Sequence, residues 1–226
     1  MLPPLAAILV GILLAIFAFH LPAATSTGPA TPGASGIAPL FTPEVQYWGG
    51  QITAWAVRAG VDPNLAATVM QIESCGDPQA RSFAGAMGLF QVMPFHFFGV
   101  DDPFEPSTNA ERGLAYLKRA LDQSGGDARL ALAGYNGGIG VIGRAEWSWA
   151  AETQRYTYWG SGIYADAAQM SASSTVLDEW LAAGGSGLCR QARIRLGLGE
   201  YGRGESDPCS VNRRTFRRSQ NPRRRG

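Results

Sequence analysis

The sequence predicts a mainly α-helical fold. Apolar residues recur at helical spacing in successive segments, and alternating apolar–polar runs are nearly absent. Capping residues and glycine or proline breaks punctuate those segments at intervals that suit short helices. The class is therefore all-α, or α with a minor hairpin.

The first segment, residues 44–60, carries Val45, Trp48, Ile52, Trp55 and Val57 on helical spacing. Gly60 and the pair Asp62-Pro63 break it. Asp62 or Asn64 then caps a second helix, with Pro63 near its first turn, where a missing N–H does no harm. That helix bears Leu65, Ala66, Val69, Met70 and Ile72 and ends between Glu73 and Gly76. A glycine-rich aromatic loop fills 82–99. Ser107 is expected to cap a third helix, with Ala110, Leu114, Leu117 and Leu121 on one face and Glu111 in the first turn. Residues 127–136 form a short buried helix that stops at Asn136-Gly137-Gly138, and further helices fit 150–157 and 173–183.

Four regions follow from composition. Residues 1–24 contain an unbroken apolar run at 5–19, between prolines. It is longer than a usual signal-peptide core and shorter than a span of ~20 residues. A cleaved signal peptide and an uncleaved membrane anchor both fit, and both send the body outside the cytoplasm. No Lys or Arg precedes Arg58, so charge cannot orient the segment. Residues 25–41 are rich in Pro, Gly and Ala and are expected to be a flexible linker. Residues 42–190 form the body, and 191–226 a C-terminal extension with an Arg-rich end. The net charge of the 226 residues is only +1, but the first 212 hold 12 basic against 18 acidic groups. With 46% apolar residues the chain buries a real core. The basic end suits anionic wall polymer or lipid headgroups, or simply solubility, better than specific nucleic acid in an exported chain.

Glu73 is the residue that points to chemistry. It closes an apolar helix, where burial and the negative end of the helix dipole both disfavour its charged form. A carboxylic acid held protonated near neutrality is what glycoside cleavage needs, because the leaving oxygen must receive a proton. Taken alone, a helix-end glutamate is more often merely solvated. It is not alone. Glu73-Ser74 is followed by Ala80, Ser82, Gly85-Ala86, then Gly88-Leu89-Phe90-Gln91 and Met93-Pro94. Residues 131–138 read ALAGYNGG, and Glu152-Thr153 precedes Tyr156.

In that order these three motifs resemble the lytic transglycosylases of the soluble (family 1) type, whose SLT domain belongs to the lysozyme-like superfamily. Phe90 stands where the family usually has methionine. The resemblance covers about residues 44–160 and is specific as a set, though each motif alone is weak. It implies a lysozyme-like (goose-type) helical domain with a cleft, and Glu73 as the single catalytic acid/base. It implies that Ser82, Gln91, Met93, Tyr135 and Asn136 contact the sugar beside the scissile bond, with Tyr135 next to Glu73. Glu152 and Tyr156 would support the cleft. The substrate implied is the peptidoglycan glycan strand, cut between N-acetylmuramic acid and N-acetylglucosamine to give a 1,6-anhydromuramoyl end. No cofactor is implied.

Three rivals have specific sequence support. A hydrolysing muramidase of the goose-lysozyme kind needs a second acid to place water, and Asp77, Asp101 and Asp102 are the nearby ones. A Cys/His peptidase built on Cys75 and His96 is disfavoured, since an activated thiolate wants a helix N-terminus and Cys75 follows a C-terminus. A non-catalytic wall-binding component of an envelope-spanning system would keep the fold without needing Glu73. Two GxGxxG matches, at 138–143 and 197–202, follow no strand and are accidental. Trp147, Trp149, Trp159 and Tyr164 either line the cleft or pack the C-terminal part.

Three cysteines in an exported chain permit one disulfide. Any of three pairs is possible. Cys75 with Cys189 is the expected one, because that crosslink would fix the end of the catalytic helix, and Cys189 with Cys209 is its competitor. No metal-ligand spacing occurs.

Overall fold

A computed structural model describes residues 36–199. The apolar run near the start, most of the expected linker, and the Arg-rich end with Cys209 lie outside those residues. Among the described residues no helix is long and apolar enough to cross a membrane. The described part is helical and contains no strand, only isolated bridges between Arg81 and Met87 and between Met87 and Val92.

The order is α1 (Pro43–Gln46), α2 (Gly49–Ala59), α3 (Pro63–Glu73), α4 (Pro106–Gln123), α5 (Ala128–Gly137), α6 (Ala151–Ala168), α7 (Thr175–Trp180) and α8 (Ser186–Leu196). The single helix expected over 44–60 is broken at Tyr47 and Trp48. There the Trp48 indole turns inward and donates to the Gly76 carbonyl over 2.9 Å. Gly60, at φ +66°, ends α2 in the left-handed conformation that glycine tolerates.

Helix α3 is the centre of the described part. Asp62 caps it, accepting from the N–H groups of Asn64 and Leu65, with Pro63 in the first turn. Every residue from Asn64 to Ile72 is buried. It packs against α2 on one side and α6 on another, while α5 lies between α4 and α6. Ile52, Leu65, Met70, Leu89, Phe90, Leu114, Leu117, Leu132 and Ile163 form the fully buried centre. Phe90 is thus a core residue.

The cap of α4 differs from expectation. The Glu105 carboxylate, not Ser107, accepts from the N–H groups of Ser107 and Thr108 at 2.9 and 2.6 Å. Pro106 has no N–H to satisfy, so the helix starts two residues earlier than a Ser107 cap would allow. Glu111 then falls beyond the first turn and pairs with Arg112. Helix α6 runs well past the expected 150–157. Gly160 and Gly162 do not stop it, because each permits a close approach. An added Cβ would stand 3.1 Å from Leu132 at the first and 2.8 Å from Val176 at the second.

Two expected boundaries are corrected by packing. The flexible linker expected over 25–41 ends sooner, because Ile37, Ala38, Leu40 and Phe41 are buried in the core. The Ala38 N–H donates to Asn64 Oδ1 over 2.7 Å, and the Thr42 N–H to Gln71 Oε1 over 3.1 Å. Four apolar residues in a Pro/Gly/Ala-rich stretch are enough to dock it. At the other end, α8 runs through the boundary set at 190, with Ala192 buried and Arg193 paired to the buried Glu44.

A disulfide joins Cys75 to Cys189, 114 residues apart, with Cα atoms 4.9 Å from each other. It ties the residue two past Glu73 to α8. Closing so long a loop stabilises by about 4–5 kcal/mol in the chain-entropy picture.

Candidate active site

Glu73 is the last residue of α3, and Ser74 is its C-cap. Its side chain keeps part of its surface open. Protein still crowds the carboxyl. Burial lifts its pKa from 4.5 to about 8, the Tyr156 hydroxyl draws it down, and the charge of Glu152 pushes it up. The C-terminal end of α3 acts in the same direction as burial. At neutral pH the group is therefore mainly a protonated acid.

Two tyrosines flank it. Tyr156 of α6 is buried, and its hydroxyl forms no hydrogen bond of ordinary geometry. It acts on Glu73 as a nearby hydroxyl rather than through a well-made bond. Tyr135 of α5 donates its hydroxyl to the Phe90 carbonyl over 2.7 Å. Burial, then the Glu73 charge, holds both phenols well above their usual pKa, so neither ionises at neutral pH.

The loop after α3 is folded against this group by its own glycines and by buried polar side chains. Ser74 Oγ donates to the Leu89 carbonyl over 2.7 Å. Asn109 of α4 accepts from the Phe90 N–H at 2.8 Å and donates to the carbonyls of Met87 and Pro103 at 2.7 and 2.9 Å. Gly88, at φ +74°, lies so near Asn109 that a Cβ would stand 2.4 Å from its amide nitrogen. Gln91 sits at φ +45°, a strained conformation for a residue with a side chain. Its amide nitrogen donates to the Gly88 and Ala80 carbonyls at 2.9 and 3.2 Å.

The sequence-expected residues fall into three overlapping sets. Tyr135, Tyr156 and Glu152 each fall within electrostatic reach of Glu73. Gln91, Met93 and Tyr135 line one small cavity of about 50 Å³ with Val92, His96, Gly113 and Tyr116. Ser82 bonds within its own loop, and Asn136 joins α5 to α6. Ser82 Oγ accepts from the Ala86 N–H over 2.9 Å, and Asn136 Oδ1 accepts from Thr153 Oγ1 over 2.8 Å. Glu152 is exposed at the start of α6. Of the four candidate cleft aromatics, Trp147 is exposed. Trp149 is buried and donates to the Val141 carbonyl, and Trp159 and Tyr164 pack against the core.

Sequence reasoning passed over Asn109, Gly113 and Tyr116, which share one face of α4 at helical spacing. That stripe of polar and small residues beside Ala110, Leu114 and Leu117 was the available signal. His96, weighed in the sequence only as a peptidase partner of Cys75, has its ring 4.7 Å from that of Tyr116. Burial and the Arg119 charge lower the pKa of His96. The acids considered for placing water are engaged elsewhere. Asp77 Oδ1 accepts from the Gln79 N–H, Asp101 pairs with Arg112, and Asp102 accepts from the Phe104 N–H. Cys75 is in the disulfide and is no free thiol. The one cluster with metal-ligand character among the described residues is Glu44 with the two bridged cysteines, and there Glu44 is paired with Arg193.

Residues 50–157 match the family model described as the Transglycosylase SLT domain. The chain is similar to a transglycosylase of Enterobacteria phage PRD1, 38% identical over 114 residues, half of this chain and 40% of that protein. It is also similar to the membrane-bound lytic murein transglycosylase C of Histophilus somni strain 2336, 33% identical over 107 residues, 38% of this chain and 30% of that one. The chain thus spans well under half the length of these curated relatives. Among solved structures, an inactive mutant of the lytic transglycosylase Slt from Pseudomonas aeruginosa aligns with a TM-score of 0.45. It is 23% identical, over 56% of this chain and 25% of that one.

Proposed function

We propose that this chain is a peptidoglycan lytic transglycosylase with a lysozyme-like SLT domain of the soluble (family 1) type. It cleaves the β-1,4 bond between N-acetylmuramic acid and N-acetylglucosamine and leaves a 1,6-anhydromuramoyl end. The observation that carries this reading is Glu73 itself, a carboxyl lifted to about pH 8 at the end of a buried helix, between two neutral tyrosines. The match of residues 50–157 to the SLT family model supports it.

The chemistry follows from that carboxyl. Protonated Glu73 gives its proton to the glycosidic oxygen as the bond to the muramoyl C1 breaks. An oxocarbenium-like state develops, assisted by the muramoyl N-acetyl group. Glu73, now a carboxylate, takes the proton of the muramoyl C6 hydroxyl, whose oxygen bonds to C1. The proton count closes with no water consumed and no second carboxylate required. Ser82, Gln91, Met93, Tyr135 and Asn136 contact the sugar, while Glu152 and Tyr156 support the cleft. The work is done outside the cytoplasm, by a secreted chain or one held at the membrane through residues 1–24. The Arg-rich end contacts anionic wall polymer or lipid.

One observation favours a second reading. Glu152 lies within electrostatic reach of Glu73, and an exposed carboxylate there supplies the water-placing group a hydrolysing muramidase needs. Digestion of purified peptidoglycan by the wild type and by Glu73→Gln tests the assignment of the acid. The product, taken up below, separates the two reactions.

A further inference from the structure

The peptide unit joining Leu89 to Phe90 is held at both ends by helices. Its carbonyl oxygen accepts from Ser74 Oγ, the residue next to Glu73, over 2.7 Å. Its N–H donates to Asn109 Oδ1 of α4 over 2.8 Å. One atom group further on, the Phe90 carbonyl accepts from the Tyr135 hydroxyl of α5 over 2.7 Å. Three helices thus converge on two residues of loop, and these connect the acid's neighbour, α4 and one of the tyrosines flanking Glu73.

We infer that Asn109 is a positioning residue for Glu73, acting through the Leu89–Phe90 peptide and Tyr135 without touching substrate. Its side chain is 1% exposed and uses both of its ends. The oxygen takes the Phe90 N–H, and the nitrogen supplies the carbonyls of Met87 and Pro103. No other neutral side chain of this shape both donates and accepts. The loop also needs holding. Gln91, the next residue, is in a strained left-handed conformation, and such conformations persist only where the surroundings enforce them. Gly88 leaves no room for a Cβ against the Asn109 amide. A loop released from Asn109 relaxes at Gln91, moves the Phe90 carbonyl away from Tyr135, and opens the wall that keeps Glu73 out of water.

This inference rests on Glu73 being the acid, so its test has one readout that needs turnover and one that does not. N109D preserves shape but sets a carboxylate against two carbonyl oxygens. In the full chain on purified peptidoglycan, its kcat falls by about 10² at neutral pH with KM little changed, as for a misplaced catalytic group. The loss shrinks as pH is lowered and the new carboxyl takes a proton, because a protonated acid donates again. A loss of kcat that is the same at every pH, or no loss, overturns the inference. Asn109→Ser removes the span without adding charge, and the Glu73 carboxyl is titrated in it by carbon NMR. The midpoint moves down toward the ordinary carboxylate range; a folded N109S with the wild-type midpoint overturns the inference. A wild type that releases no glycan fragments rejects the functional reading instead, and the NMR titration then decides on Asn109 by itself.

Discussion

Ser74 Oγ donates to the Leu89 carbonyl over 2.7 Å, so the residue beside the acid is bonded to the loop that carries Gln91. The hydroxyl is buried and also accepts from the Gly76 N–H over 3.1 Å. Ser74→Ala leaves a buried carbonyl without a partner, which costs about 1–3 kcal/mol. The expected result is a lower Tm together with a fall in kcat larger than the fraction of unfolded protein explains. Wild-type kcat in S74A would separate the loop from the acid.

Glu73 gives stability a definite dependence on pH. Its folded pKa, about 8, lies above the ordinary 4.5, so the folded chain holds a proton that the unfolded chain has lost between those values. The contribution is fully present below about pH 4.5 and disappears as pH rises toward 8. E73Q cannot ionise and escapes that loss. Its Tm therefore gains on the wild type between pH 4 and pH 8, and equal pH dependence in the two proteins would contradict the raised pKa. Glycan cleavage by the wild type declines above about pH 8, where the proton donor is gone. In E73Q it falls by about 10²–10⁴ at neutral pH, as loss of a general acid implies.

The disulfide anchors the same helix from its other side. Cys189→Ser removes the link between α8 and the end of α3 and lowers stability by about 2–5 kcal/mol. Gln71 sits against both sulfurs, with its Nε2 3.1 Å from Cys75 Sγ and 3.6 Å from Cys189 Sγ, so the change is felt inside the core. Urea unfolding of C189S and of the reduced wild type should give matching midpoints. A midpoint unchanged from the oxidised wild type would mean that packing alone holds α8.

The helices were legible wherever local chemistry decides. Asp62 with Pro63 fixes the start of α3, and Asp127 the start of α5, because a short acceptor before an apolar run has few other uses. Glu105 escaped notice because a glutamate is a less common cap than the serine two places later. The break at Trp48 depends on a carbonyl at Gly76, 28 residues away, and no local pattern announces it. Residues 37–41 looked like linker for the same reason, since their burial needs Asn64 and Gln71. Helix α8 lacked a clear apolar stripe and is held by a crosslink and by Glu44. In the site, Glu73 could be argued from its place at a helix end. Asn109 could not, because its three partners come from a loop whose path the sequence leaves open.

The central claim is that Glu73 works alone, returning the proton through the muramoyl C6 hydroxyl and not through water. Digestion of purified peptidoglycan in water labelled with heavy oxygen, followed by mass spectrometry of the released muropeptides, tests it directly. Intramolecular attack gives 1,6-anhydro ends, one water lighter than reducing ends and free of label. Reducing ends carrying the heavy oxygen would contradict it and give Glu152 the task of placing water.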